Sequence, residues 1–573
     1  MKKKKNVAVL LMSGLIFCTA ALSACGGKSV PYDPDNFLPE GTAENPYQIV
    51  KEAVTLNIFV PRGSLNPPYE SMEMFKILSE LTNLKFDFTE VDTSAYTSVR
   101  SAAWEDKKNL PDLFLFNNSI SEQVIYSQYG ALVAFNDENL EAGGVKAGNL
   151  IDNYMPVYKR LLDANFNIET STSAKEVAML EDGYMYSTLS VNDVPRDLTF
   201  KMYINQQWIE NLREDGVTMP DGTAIPDADD IATVEEYVDI LRLFKKYDAN
   251  HNGKKDDEIP VTAKELEYLR NFILASYGYV TNGAELKNDG SGVAYVPQTE
   301  AYKKYLETMN VLYGEGLLDQ STFSIKTDAQ MAVKGLDGDA SRLGSFCAAA
   351  AYIIVGEDRA DEYTTFGPLT SDYYNEKPLQ WGFSYFQPTG AVIPTGTPYV
   401  REIARLLDIL YSDLGCQLIA YGKEGIDWTW DDEGQTSWTF HVPDDWTGTQ
   451  EEYRATITPN VGTASALYWK YDFVGKMNDK TITQLNRLSE RYMPYLKEQF
   501  PQEIKLSSTD YNDVELITSG VDAYIKNMEY NFITGKKDLN KDWNSYLNDL
   551  SAYNVDKLAE IYDKAYQAYK KTH

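Results

Sequence analysis

Apolar and polar residues alternate strictly at Val54, Leu56, Ile58 and Val60, the period of a strand with one face buried. The period then changes. Met74, Ile77, Leu78 and Leu81 recur at three and four, which predicts a helix, and Leu84, Phe86, Phe88 and Val91 return to a strand. Ala95 to Trp104 is amphipathic, and Leu113 to Phe116, behind Pro111 and Asp112, is a short apolar strand. Strand, helix, strand, helix, strand predicts parallel pairing with helices on both faces of a sheet, an α/β fold. A second region begins near Phe200. Thr233 with Glu236 makes a capping box ahead of Val234, Val238, Leu241 and Phe244. Gly344 to Val355 reads as a buried strand, and Ala391 to Pro394 as a short strand before a helix carrying Ile403, Leu406, Leu407 and Leu410. The tail from Trp543 to Tyr569 keeps helical spacing.

In open parallel sheets ligands sit beyond the carboxyl ends of strands. That places Pro61, Arg62 and Gly63, and Asn117, Asn118 and Ser119, at a cleft. The length exceeds what one hydrophobic core holds, so at least two lobes are expected.

Before the body come four lysines, Lys2 to Lys5, an apolar stretch from Val7 to Leu22, and a cysteine after small residues. This is the layout of a cleavable export signal, and the run is too short for a spanning helix, which needs ~20 apolar residues. Leu22-Ser23-Ala24-Cys25 looks like the bacterial lipobox, in which the cysteine takes a lipid (palmitate) on its sulfur and becomes the first mature residue. Glycines and prolines through Pro39 read as a flexible tether. Loss of the four leader lysines moves the net charge from −32 to −36, which repels nucleic acid and leaves only the anchor to touch the membrane. Of four cysteines, Cys18 leaves with the signal and Cys25 is the lipid site; Cys347 and Cys416 lie in apolar or helix-like runs and read as buried free thiols.

The run Asp248-Ala-Asn250-His-Asn252-Gly253-Lys254-Lys-Asp256-Asp257-Glu258-Ile259 puts oxygen side chains at loop positions 1, 3, 5 and 9, glycine at 6 and a backbone carbonyl at 7. That is the calcium-wrapping pattern of an EF-hand loop, except that Ile259 stands where a bidentate Glu belongs. A solvated turn would use the same residue types.

The order of pieces resembles the extracellular solute-binding proteins of carbohydrate ABC transporters, of the oligosaccharide-binding type. The resemblance rests on the lipobox, Asp112 to Phe116, Gly130-Ala-Leu-Val133, Met202-Tyr-Ile-Asn205 with Trp208, Ala391-Val-Ile-Pro394, and Tyr421-Gly-Lys-Glu-Gly-Ile-Asp-Trp428. It implies a type II periplasmic-binding-protein-like fold, two lobes closing on a hinge. Its expected parts are a signal peptide (1–24), a tether (25–50), lobe one (51–200 with 391–450), lobe two (201–390) and C-terminal helices bracing the lobes (451–573). The loop resembles that of the alginate-oligosaccharide-binding branch, which implies structural calcium on Asp248, Asn250, Asn252, the Lys254 carbonyl, Asp256 and Asp257, with the register of Glu258 left open. The resemblance also implies a lipid-anchored monomer on the outer face of the cell membrane, with permease subunits as partners.

Three histidines, scattered at 251, 441 and 573, leave no basis for a histidine triad or zinc site, and no nucleotide-binding or hydrolase motif occurs. A binder rather than an enzyme is expected. The rival readings are a glycosidase or lyase using two of the 85 acids, and a binder of peptides or other non-sugar solutes. Sugar recognition needs flat aromatic faces with amides beside them. The candidates are Asn117 and Asn118, Trp381 and Tyr385, and Tyr468 and Trp469 after the Gly462 turn, with Trp428 and Trp430 either lining the cleft or packing their own segment.

Overall fold

The computed structural model describes residues 31–164, 173–335, 338, 340–448, 450–461 and 466–572, so the leader, Cys25 and the Gly462 turn lie outside the described residues. The body opens with strand β1 (Val54–Arg62), helix α1 (Glu73–Thr82), β2 (Leu84–Asp92), α2 (Tyr96–Glu105), β3 (Leu113–Leu115) and α3 (Ile120–Gln128), in the predicted order. Asn83 stops α1 in the left-handed conformation, and positive φ at Phe116 and Asn117 ends β3 one residue before the apolar run does. Helix α4 (Pro156–Asp163) follows, and the chain leaves through β4 (Ser190–Asn192). It then forms β5 (Lys201–Asn205), α5 (Val234–Lys246), β6 (Ile259–Ala263), α6 (Glu265–Ala275), β7 (Leu343–Ala348) and β8 (Tyr363–Thr365), and returns through β9 (Phe386–Gln387), β10 (Ala391–Val392) and α7 (Val400–Tyr411). Strand β11 (Tyr468–Trp469) precedes three long helices, α8 (Ser508–Ile533), α9 (Leu539–Ala552) and α10 (Val555–Tyr569). The Thr233–Glu236 capping box is formed at the head of α5.

Two four-stranded sheets carry the lobes. In lobe one the order is β10-β3-β1-β2, with β1 parallel to both neighbours and β10 antiparallel to β3. In lobe two it is β8-β5-β7-β6, with β7 parallel to β6 and antiparallel to β5. A three-stranded sheet, β9-β4-β11, gathers the crossings between them, so the hinge is three strands wide. In both lobes the carboxyl ends of the parallel strands point toward this hinge: Phe116 N–H donates to Gly390, and Ala348 pairs with Lys201 as β5 begins.

The structure differs from the expected layout in four places. The expected tether is shorter, because Phe37, Ile49 and Val50 are buried in the lobe-one core. The predicted strand from Gly344 to Val355 ends at Ala348, and Tyr352–Val355 is a helical turn. The C-terminal helices do not brace both lobes evenly: Val521, Ile525, Phe532, Tyr546, Leu550 and Leu558 complete the lobe-two core. The tail is also two helices, since Asn554 turns left-handed between α9 and α10. Cys347 and Cys416 are buried and free, as their apolar runs require.

Candidate functional site

A cavity of about 720 Å³ lies beside the hinge, walled by Ile120 at the head of α3, by the crossing stretch from Trp381 to Thr389, and by Met493 to Gln502. Its size is that of a small-molecule site. Ile120, Pro388, Gln499, Phe500 and Gln502 also border a second cavity of about 520 Å³, which runs between α3, the head of α8 and Tyr562 on α10. The two adjoin one another, with α3 of lobe one on one side of this cleft.

Trp381 and Tyr385 both line the first cavity. Trp381 sits 4.5 Å ring to ring from Phe383 and 5.9 Å from Tyr268, and Tyr268 packs 4.1 Å from Phe200. This aromatic wall stands at the carboxyl end of β6, where Lys264 lies 5.8 Å over Tyr268 and pairs with Asp328 at 2.9 Å. Phe383 and Phe500, which line the cavity, and Phe200 and Tyr268, which back Trp381 and Phe383 outside its lining, were not singled out by sequence. Their only signal was aromatic type, which a large domain mostly spends on its core.

The other four ligand candidates are turned to different work. Asn118 is buried, its amide donating to the carbonyls of Phe114 and Gly390 at 3.1 and 3.0 Å, which ties β3 to the return crossing. Asn117 is exposed at positive φ, and its carbonyl accepts from Arg100. Tyr468 and Trp469 belong to hinge strand β11: the Tyr468 hydroxyl donates to Asp193 at 2.9 Å and the Trp469 indole to Asp197 at 2.7 Å. Side chains that lock a hinge strand to the segment beside it are poorly placed to read a ligand. Trp428 is wholly buried against Phe473 and Trp438, while Trp430 is partly exposed and packs on the same cluster, so these two brace their own segment. Arg62, at the end of β1, pairs with Glu90 at 3.0 Å.

Charges along the cleft are largely spoken for. Lys497 pairs at 2.6 Å with Glu285, whose side chain is fully buried and also accepts from the backbone of Val280 and Thr281. Lys505 donates to the carbonyls of Val177 and Gln502, and burial lowers its pKa to about 8. Burial, with Glu503 adding its charge, raises the pKa of Glu498 in the cavity wall. Among the described residues no arginine lines either cavity.

The acidic loop lies far from this cleft, at the hinge-distal end of lobe two between α5 and β6. Asp248 accepts from the N–H groups of Asn252 and Gly253, Asn250 from Asn252, and Asn252 from Lys254 at 2.8 Å, so the loop is wound by its own side chains. His251 and Gly253 have positive φ. His251 turns out to Asp215 at 3.1 Å. Asp256 is exposed, and no three acids, histidines or cysteines among the described residues form a compact metal cluster. The unusual group is Glu258: it is 4% exposed, and neither of its carboxylate oxygens has a hydrogen-bond partner, nor does Oδ1 of Asp257. Burial and then the charges of Asp257 and Asp248 raise its pKa. Orphaned buried carboxylate oxygens beside a loop of amide oxygens fit a hard divalent cation. Asp248, Asn250, Asn252, the Lys254 carbonyl and Asp257 would hold it, with Glu258 close by.

No protein-family model and no curated protein sequence matches the chain. Solved structures do. The S. pneumoniae ABC-transporter substrate-binding protein FusA in complex with kestose superposes with a TM-score of 0.71 at 19% identity, over 91% of this chain and 100% of its own. An HMO-binding, ABC-transporter-associated solute-binding protein from Bifidobacterium longum infantis gives 0.72 at 17%, over 91% and 99%. The alginate-binding protein AlgQ2 without calcium ion gives 0.67 at 17%, over 91% and 100%. At such identities the likeness is one of fold. The chain has the two-lobe α/β solute-binding fold, and these three neighbours are named as binding proteins, two of them tied to ABC transporters. No helix among the described residues is long and apolar enough to cross a membrane.

Proposed function

We propose that this chain is the extracytoplasmic substrate-binding component of an ABC importer, capturing an oligosaccharide between its lobes and handing it to membrane permease subunits. The observation that carries this reading is the aromatic wall of Trp381, Phe383 and Tyr385 in a long cavity beside a three-stranded hinge. Ring faces stack on the C–H surfaces of pyranoses, and the cleft supplies the Gln499 amide oxygen and the Gln502 amide nitrogen for hydroxyls, their other ends being bonded to Gly382 and Ser384. A ligand touching α3 on one lobe and the aromatic wall on the other favours the closed arrangement by its contacts with both. An acidic glycan normally needs an unengaged cation. Here Lys497 is held by Glu285 and Lys505 by two carbonyls, which supports a neutral sugar.

In this reading Cys25 carries the lipid that holds the protein on the outer face of the membrane, the protein acts as a monomer, and the 248–258 loop takes structural calcium away from the cleft. The test is a thermal melt of residues 26–573 against neutral and acidic oligosaccharides, because a ligand bound only by the native state raises the midpoint. A rise with one glycan class and no cleaved product is expected, and Trp381→Ala is expected to weaken binding roughly fivefold or more through loss of ~1 kcal/mol of stacking. Cleaved product would point to a carbohydrate-active enzyme, and a response only to peptides to a different solute.

A further inference from the structure

The chain is fastened to lobe one almost as soon as it leaves Cys25. The Tyr32 hydroxyl donates to Glu402 at 3.2 Å and accepts from Arg401 at 2.8 Å, and its ring packs edge-on to Tyr399. The same ring lies so close to Gly143, in the hairpin of residues 141–146, that a Cβ there would overlap it. Arg405 continues the clamp, donating to the carbonyls of Leu38, Gln48 and Pro46. Six residues, 26 to 31, separate this docked segment from Cys25, so the span from Cys25 to Tyr32 is at most about 25 Å even fully extended. A folded body of this length has a radius of gyration of about 24 Å and is therefore about 60 Å across, more than twice the leash.

Where the leash attaches matters as much as its length. Thr397 bonds Asp112 at the start of β3 at 2.6 Å, so Tyr399 and Tyr32 sit at the amino ends of the lobe-one strands, the end remote from the hinge. The amino end of β6 and the carboxyl end of α5, at Lys246, form the corresponding hinge-distal pole of lobe two.

We propose that the hinge-distal end of lobe one, around Tyr32, Tyr399 and the 141–146 hairpin, is the face confined to the lipid surface, with the pole of lobe two directed away from it. The inference rests on the lipid-anchor reading of Cys25. Asp33, Asp35, Glu138 and Glu141 are exposed there and outnumber the exposed Lys51 and Lys146, so anionic headgroups repel the face on balance and the leash rather than adhesion sets the distance.

The test uses the full lipidated chain on vesicles whose headgroups carry an energy-transfer acceptor, with a donor on Glu141→Cys or on Lys245→Cys. Cys347 and Cys416 are buried and do not compete for the label. Transfer from position 141 is expected to exceed that from 245 by about twofold or more, and about twenty Gly/Ser residues inserted after Gly27 are expected to shrink the difference. Equal transfer from both positions in vesicle-bound protein overturns the orientation and leaves the anchor standing. Protein that does not float with the vesicles, and loses nothing by Cys25→Ser, overturns the anchor and the orientation with it.

Discussion

Lobe two buries two glutamates in opposite ways. Glu529, on α8, is 2% exposed and satisfied: Arg270 on α6 reaches both its oxygens at 2.7 and 2.9 Å, and the Tyr305 hydroxyl adds a third bond at 2.7 Å. Glu258, at the edge of the 248–258 loop, is 4% exposed and has no hydrogen-bond partner on either oxygen. A buried charge is tolerated when paired and bonded, and costs several kcal/mol when it is not. Where the chain supplies every partner, the carboxylate is part of the scaffold. Where no donor reaches the carboxylate in good geometry, the proposed calcium is the partner that would complete it.

The contrast breaks most sharply at Glu529. Arg270→Met leaves that carboxylate with Tyr305 alone and is expected to cost about 3–5 kcal/mol in denaturant unfolding. The double variant Arg270→Met, Glu529→Leu should recover most of the loss, because an apolar pair of similar volume replaces a buried ion pair at little cost. If the single and double variants fall equally, packing rather than charge holds α6 to α8.

At Glu258 the sign should depend on the solution. With calcium at about a hundred times its dissociation constant the parent is expected to gain about 2.7 kcal/mol, seen as a raised thermal midpoint that chelator removes. Glu258→Gln removes a negative charge beside the proposed calcium and also an unpaired buried charge. It should therefore melt below the parent in calcium and above it in chelator. A midpoint indifferent to chelator in both proteins would mean that Glu258 is an unpaired acid and nothing more.

How much of this was legible beforehand follows the same line between local and distant partners. The strands and helices of lobe one were readable because Val54, Leu56, Ile58 and Val60 announce their period locally, and the capping box at Thr233 is complete within four residues. Trp381 and Tyr385 could be placed at the cavity beforehand because they precede a crossing strand. The ties of Asn118 to Gly390 and of Trp469 to Asp197 could not be read locally, because the partners lie 272 residues away in each case. Glu258 could be noticed as an extra acid, but its lack of a partner is a property of the folded chain alone. The docking of Phe37, Ile49 and Val50 depends on α7, more than 350 residues later, and a proline-rich segment gave no hint of it.

Asp408, on α7, stands between the two glutamates and sharpens the comparison at small amplitude. It is 8% exposed and accepts from the backbone N–H groups of Val157 and Tyr158, so it caps the first turn of α4, but no cation sits in hydrogen-bond contact with it. Burial outweighs those bonds and raises its pKa from 3.8 to about 6. The folded state thus holds the proton more tightly than the unfolded chain, and the sign follows: the favourable contribution is complete below about pH 4 and is lost as pH rises through about 6. Asp408→Asn keeps an oxygen for the two N–H groups and removes the titration. Relative to the parent, its midpoint should therefore rise between pH 4 and pH 7, by an amount on the order of 1 kcal/mol once partial solvation is allowed for. A difference that stays flat across that range would mean the cap bonds fully offset the burial of the charge, and that two backbone donors can do for Asp408 what Arg270 does for Glu529.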